Sequence, residues 1–85
     1  MCRRISKLID AITASKALDA KTRQLIYISL KAVDGDSAAV RFHTIMAKNA
    51  GVSKEEIVQA LLVTLTVSGI KGIATCLPVV IAQFE

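Results

Sequence analysis

From Ala60 to Ala82 the chain runs for 23 residues with a single charge, Lys71, near the middle. About 20 apolar residues suffice to cross a bilayer, so this stretch forces a choice between a membrane span and helices buried in a protein core. A lysine at the centre of a span costs on the order of 3 kcal/mol, and Ser68-Gly69 and Gly72 offer a natural break into two shorter pieces. The sequence therefore predicts two buried helices and no membrane partner. Met1-Cys2-Arg3-Arg4 leads into Lys7 and Asp10 rather than an unbroken apolar run, which is not the pattern of a signal peptide, and the cytoplasm is the expected compartment.

The rest of the chain constrains what that apolar surface packs against. At 85 residues it is expected to be a single domain, residues 1–85, and a domain this small hides only roughly 60–65% of the surface of its unfolded chain. Yet 53% of its residues are hydrophobic. The surplus predicts burial against other copies, so a homo-oligomer is expected. Eleven basic and seven acidic residues are scattered rather than striped, and Tyr27, Phe42 and Phe84 are the only aromatic side chains, which provides poorly for nucleic acid. Cys2 and Cys76 lie far apart and suggest neither a disulfide framework nor a metal site. No cofactor is expected.

Helical punctuation recurs along the whole length, with no alternating run that argues for a strand. A first helix is expected over Arg3 to Ala17, with Ile5, Leu8, Ile9 and Ile12 on one stripe. Asp19 caps a second, Ala20 to Val33, which stops at Asp34-Gly35. The third starts at Asp36-Ser37 and ends at Asn49-Ala50-Gly51. Ser53 and Glu56 form a capping box, with Val52 and Ile57 as a hydrophobic staple, and so open the fourth. Pro78 is expected to bend or restart a fifth, Ile70 to Gln83. Short connections make the fold class all-α, a compact bundle of about five helices.

His43 is the only histidine, on a helix face it shares with Ala39, Met46, Ala47 and Ala50. An imidazole titrating near pH 6.5 suits general acid–base work, against the plainer reading of a packed, singly hydrogen-bonded histidine. Gln24 reads from the residues alone as a solvated or interface side chain. Asp36 reads as an N-cap rather than an acid or base. Arg23 and Arg41 could bind a small carboxylate ligand, although a solvated face is the simpler role for each. Cys76, among apolar neighbours, reads as a packed thiol whose nucleophilicity burial would blunt.

The stretch Leu18 to Ile26, followed by His43 and then by Gly51-Val52-Ser53-Lys54-Glu55-Glu56-Ile57, resembles the carboxymuconolactone decarboxylase family, which includes the alkylhydroperoxidase D-like (AhpD-like) proteins. The resemblance covers Leu18 to the C-terminus and implies interlocked subunits, as trimers or hexamers. In the decarboxylase branch it implies a histidine at position 43 that helps deliver a proton to carbon after carbon dioxide leaves. In the redox branch it implies two cysteines at positions 36 and 39 and a glutamate at 24, where this chain carries Asp36, Ala39 and Gln24. Three functions follow. The first is a lyase of decarboxylase type, using His43 with Arg23, Gln24 or Arg41 at the substrate. The second is an antioxidant, peroxiredoxin-type activity on Cys76 or Cys2, and the third a non-catalytic oligomeric scaffold or binding module.

Overall fold

A computed structural model describes the backbone from Cys2 to Glu85 and the side chains from Arg4 onward. Five helices follow one another: α1 (Cys2–Ala14), α2 (Ala20–Val33), α3 (Ser37–Asn49), α4 (Lys54–Ser68) and α5 (Lys71–Ala82), with no strand among the described residues. The all-α bundle is as the sequence predicts, and each boundary has a local cause. Asp19 accepts a hydrogen bond from the Thr22 amide at 2.8 Å and Asp36 one from the Ala39 amide at 3.0 Å. At Ser53 both halves of the capping box form, the Glu56 amide donating to Ser53 Oγ at 3.1 Å and the Ser53 amide to Glu56 Oε1 at 2.9 Å.

The ends of α2 and α3 repeat one device. Gly35 (φ +75°) and Gly51 (φ +92°) take the left-handed conformation that closes a helix. Their amides donate to the Ala32 and Lys48 carbonyls, and the next residues, Asp36 and Val52, donate to the Lys31 and Ala47 carbonyls. Asp36 thus closes one helix with its backbone and opens the next with its side chain.

Helix α2 lies at the centre, packed on α3, α4 and α5. Its Ile28 and Ala32 meet Val40 and Ala47 of α3, Ile57 and Leu61 of α4 and Cys76 and Val80 of α5 in one buried cluster, with Val52 sealing the turn below. The α2–α5 approach needs a glycine, because a Cβ on Gly72 would collide with the Ala32 carbonyl oxygen.

Two expectations are corrected and one is narrowed. Helix α1 ends at Ala14, not Ala17, because Asp19 must be extended (φ −76°, ψ 171°) to cap α2 and the chain needs Ser15 to Leu18 to reach it. Helix α5 does not restart at Pro78 but runs through it, with Pro78 and Ala74 both exposed. The apolar stretch does divide at Gly69 (φ +79°), yet it is only partly buried. Leu62, Val63, Leu65 and Val67 of α4 stand exposed, since only α2 and α5 pack against a helix whose C-terminal half is largely apolar. No helix among the described residues is long and apolar enough to cross a membrane.

Replacing Gly72 by alanine is expected to push α5 off α2 and cost about 2 kcal/mol as overpacking. Urea denaturation measures it, and an unchanged midpoint would show that the two backbones do not meet at this point.

Candidate acid–base site

The turn at Gly35-Asp36 folds α3 back along α2 and so brings together two residues that stand 19 apart in sequence. His43 Nδ1 lies 3.0 Å from Gln24 Oε1. Gln24 is buried, 9% exposed, and is not the solvated or interface side chain that its polarity suggests. An amide oxygen can only accept, so Nδ1 is the donor of this bond, and Nε2 has no hydrogen-bond partner among the described residues. His43 itself is half-buried at the edge of the core rather than packed into it. Its ring is held between Tyr27 (centroids 5.1 Å apart, planes at 35°) and Phe42 (5.4 Å, edge-on at 77°).

Burial of the ring, and secondarily the positive charge of Lys31, lower the His43 pKa below the ordinary 6.5. At neutral pH the imidazole is therefore uncharged, and the imidazolium it forms on gaining a proton is a stronger acid than usual.

Arg23, next to Gln24 on α2, is half-buried in the wall of a hollow of about 330 Å³ between the end of α1 and α2. Ile12, Leu18, Ile26 and Tyr27 supply its apolar walls. Tyr27 is shared, lining the hollow and meeting the His43 ring. Arg41 is exposed two positions from His43, a spacing that turns it to another side of α3, and it does not line the hollow. The structure thus associates Arg23 with His43 through Tyr27 and leaves Arg41 apart. Gln24 sits behind the ring, placed to orient it.

The remaining candidates have structural roles. Asp36 is the α3 cap and Ala39 donates to it. Cys76 is fully buried in the core cluster, and burial, with the charge of Asp36, pushes its thiol up. The side chain of Cys2 lies outside the described residues. Among those residues no group of three potential metal ligands stands together. Reading the sequence missed Tyr27 as the second contact of the ring, although Gln24 and Tyr27 are three apart on α2 and share a face, which was the available signal.

The chain matches the carboxymuconolactone decarboxylase family over residues 2–82. It belongs to that family. Membership is consistent with the AhpD-like superfamily and with the helical fold above. Among curated proteins, the uncharacterized protein MJ0742 of Methanocaldococcus jannaschii is 41% identical over 66 residues, which make up 76% of this chain and 64% of that one. The chain thus spans just under two thirds of that relative's length. No solved structure matches.

The His43 ring is expected to titrate below pH 6.5, and in Gln24→Glu the carboxylate beside Nδ1 should raise the midpoint above the wild-type value. An NMR titration of the imidazole Cε1 proton reads both, and an identical midpoint in the variant would mean that Gln24 does not hold the ring.

Proposed function

We propose that this member of the carboxymuconolactone decarboxylase family transfers a proton at a small carboxylate substrate, with His43 as the acid–base group and Arg23 as the anion holder. The observation that carries this is the Gln24–His43 hydrogen bond, which orients the ring through Nδ1 and leaves Nε2 for a substrate, beside a hollow whose wall includes Arg23. In decarboxylation the bond from the α-carbon to the carboxyl carbon breaks, carbon dioxide leaves, and the electron pair stays on carbon, where an adjacent carbonyl of the substrate spreads it as an enolate. His43 Nε2 takes a proton from water and passes it to that carbon. The net reaction consumes one proton from solvent. A depressed histidine pKa makes the imidazolium a willing donor to carbon. Arg23 would hold a carboxylate that is retained, since a guanidinium binds both oxygens at once.

One observation favours the binding-module reading instead: His43 and Gln24 are not part of the lining of the Arg23 hollow. A screen of mono- and dicarboxylates by thermal shift, followed by product analysis, separates the two. For an acid–base site, stabilisation by an acid should be lost in Arg23→Gln and kept in His43→Gln, with turnover lost in both. Binding with no turnover of any acid would leave a binding module, and no response to any acid would end the proposal.

The peroxidatic reading on Cys76 has the burial of that thiol against it. A protonated, enclosed thiol is a poor nucleophile, so iodoacetamide at neutral pH is expected to label Cys76 in the folded protein far more slowly than in urea. Equal rates would reopen the antioxidant alternative.

A further inference from the structure

The hollow beside Arg23 has room for more than an anion. Its volume of about 330 Å³ corresponds to roughly eleven water-sized groups at about 30 Å³ each, and the three heavy atoms of a carboxylate leave most of that space to be filled. Hydrocarbon encloses it. Ile12 of α1, Ala17 and Leu18 of the connection and Ile26 of α2 form the walls, and Tyr27 adds a ring that also meets His43. Arg23 carries the only charge among the described residues that line the hollow. Apart from the Tyr27 phenol the remaining polar side chain is Ser15, whose Oγ already accepts a hydrogen bond from the Ala17 amide at 3.4 Å.

We infer that the part of the ligand held in this hollow is one carboxylate on an apolar body of about eight carbon atoms, aliphatic or aromatic, and that hydroxy acids, sugar acids and polyanions are rejected. This rests on Arg23 being the anion holder and adds what lies behind the anion. In a substrate for proton transfer, the carboxyl group that leaves would stand outside the hollow, at the His43 ring, with the apolar body within.

Three observations select that class. A second carboxylate inside the hollow would give up its water against Ile12, Leu18 and Ile26 with no second cation to meet it, which is heavily disfavoured for an unpaired ion. Helix α1 hardly touches the other four helices and exposes all of its described side chains, so an apolar body supplies the contact that Ile12 otherwise lacks. Apolar grooves elsewhere repel an acid, since Glu55 and Glu56 line the one along α4 and Glu85 the one along α5, and the charge of Arg23 steers an amphiphilic anion to its own hollow.

NMR titration of the amide-labelled chain with straight-chain monocarboxylates from butanoate to decanoate tests the inference. Shifts should centre on Ile12, Leu18, Ile26 and Tyr27, and the dissociation constant should fall about threefold per methylene, levelling off near octanoate where the hollow is full. Adipate, with the carbon number of hexanoate and a second charge, should bind at least about tenfold more weakly than hexanoate. Arg23→Gln should reduce the affinity for hexanoate to that of the wild type for hexanamide. Ile26→Gln should flatten the dependence on chain length; Ile26 is exposed in the free chain, so circular dichroism should show an intact bundle. Adipate or malate binding as tightly as hexanoate, and losing that affinity in Arg23→Gln, would overturn the apolar body while leaving Arg23 as anion holder. No shift at the hollow with any acid, or binding indifferent to Arg23→Gln, would overturn both.

Discussion

The arrangement of the site depends on one turn. Gly35 and Asp36 close α2 and open α3 with no residue to spare, and this fixes the two helices as an antiparallel pair. Gln24 stands 11 residues before Gly35 and His43 eight residues after it, so they lie about 16 and 12 Å from the turn along their helices. That near-equality lets a glutamine from one helix reach the ring on the other. The carboxylate of Asp36 is committed to the Ala39 amide, so the residues at the turn hold the hairpin together while Gln24 and His43 meet one helix length away.

The helix starts were legible because each is written in a short stretch of chain. Asp19, Asp36 and Ser53 cap with their own side chains, and Gly35 and Gly51 stop helices because only glycine is at ease at positive φ. The C-terminal end of α1 was less so, since Lys16, Ala17 and Leu18 favour helix and the break comes from the need to present Asp19 in extended form. The Gln24–His43 contact was beyond local reading, because it joins residues 19 apart and depends on the direction taken by the α2–α3 turn. Nor does composition say which apolar residues are buried. Ile57 and Leu61 are enclosed while Leu62 and Val63, one and two positions on, are exposed.

The electrostatics of the site follow from its position at the rim of the core. Deeper burial would leave Nε2 with no route to substrate, and full exposure would return the ring to its ordinary pKa. A half-buried ring held between Tyr27 and Phe42 is oriented through Nδ1 and has no hydrogen-bond partner at Nε2 among the described residues. Replacing the acceptor at position 24 by a carboxylate would favour the imidazolium. Glutamine orients the ring without adding that negative charge.

The hollow beside Arg23 and the unpartnered α1 are linked through Ile12, which lines the hollow and belongs to the exposed stripe. In a lone chain that wall hangs on a helix with little to hold it. A ligand entering the hollow would therefore have to order Ile12 and the segment leading to Leu18, and part of its binding free energy would go into fixing α1.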